Sequence, residues 1–212
     1  MAIRIGIVAQ KGGVGKSTVA RLVSCSFAAA GYDVLLADMD QGQATSTAWN
    51  DRRLVYGVTP EITVQQASTV DRVLAKEDSY DVVVFDGAPR ATASTLDITL
   101  ACVLTVLPTG LALDDLIPTI QLAHELRGKG VSLERLAICL CRVGDSESEL
   151  QEATAYIQQT PYHLLAGTLP ERTGYRRASD LGRAANETTF PSLNAKADEL
   201  ATSIYNRTKE LS

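Results

Sequence analysis

Three groups of residues in this 212-residue chain have the types and spacing for phosphate and divalent-cation chemistry. The first is the run Lys11, Gly12, Gly13, Val14, Gly15, Lys16, Ser17 and Thr18, which follows an apolar stretch at Ile3–Ala9. Glycines there let successive backbone N–H groups converge on an anion, and a helix starting near Lys16 aims its positive end at the same point. Lys16 adds a formal charge, and Ser17 supplies a hydroxyl for Mg²⁺. The strict pattern G-x-x-x-x-G-K-[S/T] fails, because Gln10 stands where its first glycine belongs. A second lysine, Lys11, opens the loop instead, although a loop around one triphosphate needs only Lys16. A cation at Lys11 suits a reach across a dimer interface to a partner's phosphates, as an arginine finger acts in trans.

The second and third groups are carboxylates at the ends of apolar runs. Asp38-Met39-Asp40 closes the run from Asp33, and aspartates two apart in extended chain point the same way, so both are expected to face the loop. Asp86 closes Tyr80-Asp-Val-Val-Val-Phe, a stretch suited to a strand buried on both faces. A phosphate cradle together with a carboxylate on another strand is far more specific than either alone, because Mg²⁺-nucleotide chemistry needs both.

The string K-G-G-V-G-K-S-T at 11–18 resembles the deviant Walker A motif of the ParA/MinD family of ATPases, in which the first lysine is the signature residue. Asp38-Met39-Asp40 is similar to the family's switch I motif, with Gln41 where proline is common, and Asp86-Gly87-Ala88-Pro89 to its Walker B and switch II region. The resemblance implies ATP and Mg²⁺ as cofactors. It implies nucleotide binding by residues 11–18, metal binding by Ser17, Asp38 and Asp86, and catalytic roles for Lys11, Lys16 and Asp40, the last orienting the attacking water. It further implies a homodimer formed on ATP binding, an activating ParB-like or other adaptor, and non-specific duplex DNA as partner, with a role in plasmid or chromosome partition or cargo positioning. The Asn-Lys-x-Asp string of guanine-specific relatives is absent, which favours adenine. The resemblance sets adenine near the end of Leu136–Arg142 and the Thr168-Leu169-Pro170 turn. The alternatives are a MinD-like membrane switch and a metabolic ligase such as dethiobiotin synthetase, in which Lys11 is incidental.

These residues need a frame. Strand-like runs at Ile3–Ala9, Asp33–Asp38, Tyr80–Asp86, Cys102–Leu107 and Leu136–Arg142 alternate with helix-like stretches, with weaker strands at Glu61–Val64 and His163–Gly167. The helix candidates are Lys16–Ala30, Thr69–Lys76, Leu113–Arg127, Glu147–Gln158, Tyr175–Ala185 and Asn194–Lys209, with Gly31 and Gly128 as stops. The alternation predicts one α/β domain over 1–212, a P-loop NTPase with a mainly parallel twisted sheet between helices, and no separate N-terminal helix-turn-helix domain. A composition of 45% apolar and 21% charged residues suits one such core. No signal-like leader or spanning run is expected, which points to a cytoplasmic protein, nucleoid-associated when ATP-bound.

A net charge of −5 gives no general attraction to nucleic acid, so any DNA contact must be local. Arg172, Arg176, Arg177 and Arg183 fall close together, and a helix from Tyr175 would put Arg176 and Arg183 on one face. Arg176, Arg177 and Arg183 are therefore the candidate DNA contacts, set against a solvated helix face. The last helix carries a stripe of Ala197, Leu200, Ala201, Ile204 and Tyr205, too poor in bulky apolar groups for stable membrane association and suited to packing on its own domain. Trp49 reads as a packing anchor, and Cys25, Cys102, Cys139 and Cys141 as small core residues.

Overall fold

Runs of β-branched residues make strands that bury both faces, and the chain lays these side by side with helices returning between them. The structure, a computed structural model, describes residues 2–89 and 93–212. Its strands are β1 (Ile3–Ile7), β2 (Val34–Asp38), β3 (Thr63–Gln66), β4 (Val82–Asp86), β5 (Leu104–Thr109), β6 (Leu136–Val143) and β7 (His163–Pro170). The helices are α1 (Lys16–Ala29), α2 (Thr45–Val55), α3 (Val70–Leu74), α4 (Ala93–Ala101), α5 (Leu113–Gly128), α6 (Glu147–Gln158), α7 (Thr173–Asp180) and α8 (Pro191–Leu211).

The strands form one sheet in the order β3-β2-β4-β1-β5-β6-β7, with every described neighbour pair parallel. Side chains alternate between two cores. Val34, Leu36, Val82 and Val84 join Val19, Phe27 and Leu200 on one face. Leu35, Val83 and Phe85 join Ile98, Leu116 and Leu126 on the other. Register then places the site: Ile7 and Asp38 both lie beside Asp86, so β1, β2 and β4 end level. The loop after β1 and the carboxylates of β2 and β4 thus share the carboxyl edge of the sheet, where open α/β sheets bind ligands.

Three expectations needed revision. Helix α2 was not anticipated, because its buried stripe of Ser46, Trp49, Asn50 and Arg53 has helical spacing but little apolar content. Helix α4 buries Thr95, Ile98 and Thr99 and was equally hidden. The helix expected at Tyr175–Ala185 is α7, and it stops at Asp180. Gly182 takes φ +69 and packs so closely that a Cβ there would lie 2.1 Å from the Arg53 nitrogen, so the chain turns away. Arg183 is therefore not on that helix and does not share a face with Arg176. A smaller difference is that Gly31 follows α1 at φ +90 as expected, while the positive-φ stop after α5 is Gly130, not Gly128.

The last helix packs as expected. Ala197, Leu200, Ala201 and Ile204 are buried with Thr208, and Tyr205 is half-buried against Phe27. Trp49 is fully buried, and all four cysteines are buried and free. Burial pushes the Cys25 thiol up to about 12, so it is an inert packing group. No described helix is long and apolar enough to cross a membrane.

Candidate functional site

The loop between β1 and α1 is shaped by backbone that other residues avoid. Gly13 and Gly15 take φ +79 and +104. A Cβ on Gly15 would sit 3.1 Å from the Cys141 Cβ, so the end of β6 braces the loop from behind and leaves room for glycine alone. Buried Val14 anchors the turn, and α1 starts at Lys16 with no acidic residue in its first turn. Its free N–H groups thus meet no competing carboxylate of their own helix. Lys16 is buried, and its ammonium donates to the Lys11 carbonyl at 3.2 Å. Burial lowers its pKa, while Asp86 and Asp40 pull the other way.

The three carboxylates do different things. Asp38 is fully buried, and its Oδ2 accepts from the Ser46 and Thr47 amides at 2.9 and 3.0 Å and from the Thr47 hydroxyl. A carboxylate from β2 thereby caps α2, whose own Ncap residue, Ala44, offers no side-chain acceptor. The expectation that Asp38 and Asp40 both face the loop holds only for Asp40, which lines the cleft beside Lys16, because Asp38 is spent on the helix end. Asp40 is half-buried, and its Oδ1 accepts from the Gly42 and Gln43 amides at 3.0 and 3.1 Å, an Asx turn that fixes the following loop.

Asp86 fits a cation. Its Oδ2 accepts the Ser46 hydroxyl at 2.7 Å, whereas its buried Oδ1 has no described partner. A buried carboxylate oxygen without a donor is costly unless a ligand completes it. Burial raises the Asp86 pKa, opposed by the Ser46 and Ser17 hydroxyls and by Arg21. The Ser17 hydroxyl lies 3.2 Å from that of Thr45 on α2. Ser17 and Asp86 are the groups here that would hold Mg²⁺.

Lys11 stands apart from Lys16. Its side chain is 45% exposed, and its Nζ pairs at 2.8 Å with Asp115 in the first turn of α5. The sequence reading missed Asp115, since nothing near it marks it as a partner for the loop. It also missed Arg142. That residue takes φ +56 beyond the loop-bracing Cys141, donates to the Gly13 carbonyl at 3.2 Å and pairs with Glu171 at 3.0 Å.

Two adjoining clefts meet at Gly15, Thr18 and Arg21. One, of about 960 Å³, runs over Lys11, Lys16, Asp40 and Gly87–Pro89. The other, of about 480 Å³, lies between Cys141 of β6 and Leu169–Glu171. Arg176, Arg177 and Arg183 line the mouth of the second. All three are exposed, but Arg176 is held by Glu171, which leaves Arg177 and Arg183 without a carboxylate partner among the described residues.

A glycine-built anion cradle, a buried lysine and an incompletely satisfied carboxylate at the carboxyl edge of a parallel sheet define a phosphate-binding-loop nucleotide domain. The chain belongs to the CobQ/CobB/MinD/ParA nucleotide-binding domain family, whose model matches residues 5–184. Among curated proteins none matches the chain by sequence. In fold it is similar to the septum site-determining protein MinD of Pyrococcus horikoshii OT3, complexed with Mg-ADP, at 20% identity and TM-score 0.74 over 100% of this chain and 99% of that one. Apo McdA of Cyanothece gives 14% identity and TM-score 0.75 over 96% and 100%. A Borrelia burgdorferi B31 protein assigned to plasmid partition, bound to AMPPNP, gives 16% and 0.73 over 98% and 100%.

Proposed function

We propose that this protein is an Mg²⁺-dependent ATPase of ParA type that dimerises around ATP and positions DNA or another cargo through ATP-gated, non-specific binding of duplex DNA. The observation that carries the reading is Lys11. Its ammonium is held by an ion pair to Asp115 and makes no contact with the Lys16 side chain, so a single exchange of partner would release it for a partner's nucleotide. In a metabolic ligase such a lysine would be incidental. The MinD-like membrane reading is weakened by α8, whose apolar stripe is already buried against the domain.

In this reading the residue 11–18 loop and Lys16 hold the polyphosphate, and adenine enters the cleft between Cys141 and Leu169–Glu171. Ser17 and Asp86 would hold the cation, which would supply positive charge against the phosphates. Asp40 has its Oδ1 fixed by two amides, which positions its carboxylate to orient a water. The water oxygen bonds to the γ-phosphorus as the bond to the bridging β–γ oxygen breaks, one water proton stays on the released phosphate and the other passes to solvent, and ADP and phosphate leave. Lys11 of each subunit stabilises charge in the other's site. An activating adaptor of ParB type or another kind would act on this dimer, in the cytoplasm, with the ATP form on the nucleoid.

The test measures dimerisation, hydrolysis and retention of duplex DNA with ATP and with ADP. Lys16→Ala should weaken ATP binding by about 30- to 150-fold, the loss of a charged hydrogen-bonding contact of about 2–3 kcal/mol, and lose all three properties. The Arg176, Arg177, Arg183 triple alanine variant should dimerise but release DNA, with wild-type retention falling steeply as salt rises. Absence of an ATP-dependent dimer overturns the reading. Wild-type DNA retention by the triple variant moves the DNA surface elsewhere.

A further inference from the structure

Arg21 is a buried cation that lines both clefts behind the phosphate cradle. It lies one turn beyond Ser17 on α1, so the two share a helix face. Only 8% of its surface is exposed. Its Nε donates to the Ser46 hydroxyl at 3.1 Å, and that hydroxyl donates in turn to Asp86. Its Nη1 donates to the Ser179 hydroxyl of α7 at 3.3 Å. The guanidinium lies 5.4 Å from the centre of the Trp49 ring.

The segment on the far side of this link is suspended from α2. Trp49 Nε1 donates to the Arg183 carbonyl at 3.2 Å, Arg52 to the Ser179 carbonyl at 3.4 Å, and Arg53 to the Gly182 carbonyl at 3.0 Å. The near end of α2 is capped by Asp38, level with Asp86 in the sheet. Arg21 thus joins the Asp86–Ser46 pair directly to the stretch that carries Arg176, Arg177 and Arg183.

We infer that Arg21 is a positioning residue that couples occupation of the Asp86 site to the placement of the 176–183 segment. Ser46 is the shared element. Its single hydroxyl proton is given to Asp86 and its lone pair to Arg21, so a change in what Asp86 binds alters the hydroxyl that Arg21 holds. The inference rests on the proposed function only in treating 176–183 as the surface that should respond.

Hydrogen–deuterium exchange of the full chain tests it, with and without Mg-ADP and a non-hydrolysable ATP analogue, alongside a direct titration of nucleotide binding. The amides of Leu181, Gly182 and Arg183, bonded within the segment, are the reporters. Wild type should show nucleotide-dependent protection there. Arg21→Met, compared at nucleotide concentrations that the titration shows to be saturating, should lose the protection difference. Arg21→Lys, which can keep one of the two contacts, should fall between them. Ser179→Ala removes only the far contact, and should reduce the response even if Arg21→Met fails to fold. A wild-type response in Ser179→Ala together with either Arg21 variant overturns the inference, as does a nucleotide-bound wild type whose segment never changes. Failure of wild type to bind nucleotide would instead sink the proposed function.

Discussion

The two sides of the phosphate loop are built in opposite ways. On the inner side Lys16, Asp38, Asp86 and Ser46 are buried, and each is tied into the sheet or a helix end. On the outer side Lys11 and Asp40 sit in the open cleft, Lys11 held by a single ion pair and Asp40 by a turn of its own loop. Rigid, desolvated groups suit a task done in the same way every time, which in the proposed function is gripping phosphate and cation. Exposed groups on single contacts can exchange partners at little cost, as a switch requires. Under the proposed function the division makes binding and switching separable, so substitutions on the two sides should have different signatures.

The largest effect is expected on the outer side. Asp40→Ala should leave ATP affinity nearly unchanged and slow turnover by about 10²–10⁴-fold, the range for losing a positioned proton-handling group. Single-turnover hydrolysis with a parallel binding titration measures this, and an equal loss of affinity would erase the distinction between the sides.

An intermediate effect belongs to Asp86. Its pKa is raised by burial, so folding disfavours the ionised form. Its stabilising contribution is present below the ordinary carboxylate pKa and is lost as pH climbs through the raised value. Asp86→Asn should remove that loss. Without nucleotide its melting temperature should exceed the wild type's at neutral pH, and the two should converge in acid. The same substitution should abolish the dependence of nucleotide binding on Mg²⁺. A lower melting temperature at neutral pH would mean that the Asp86 charge is structurally needed.

The smallest effect should come from freeing Lys11. Asp115→Asn removes a half-exposed ion pair worth about 0.2–1 kcal/mol. It should lower the ATP concentration for half-maximal dimerisation by up to about fivefold in sedimentation experiments, less so in high salt. A weaker dimer would show that Asp115 serves the assembled state.

What could be read beforehand follows the same physical divide. The cradle at 11–18 and Asp86 were legible because their chemistry is written in contiguous residues at the end of a strong apolar run. Asp115, Arg142 and Arg21 were not, since each gains its role from a neighbour that folding brings in from another element. The sheet was legible from its β-branched runs, including the weak β3 and β7. Helix α2 was hidden because it buries Ser46, Asn50 and Arg53 along with Trp49, and apolar periodicity does not register polar residues that fold inward. Its Arg53 pairs with Glu187 at 2.6 Å and tops the same indole, an arrangement no local pattern announces. The arginine cluster was visible as composition, but its geometry was misjudged because the turn at Gly182 depends on contact with α2.

The central placement of β1 carries a consequence for how the molecule is made. Ile3 pairs with Val82 and Ile5 with Leu104, so β1 leaves the ribosome before both of its sheet neighbours and waits for them. Until they emerge it presents two unpaired, apolar edges, the kind of surface that chaperones shield and that drives misassembly. Cys141, which braces Gly15, arrives later still. Nascent chains stalled before β6 should therefore be unable to hold nucleotide, and competence should appear late and abruptly during translation.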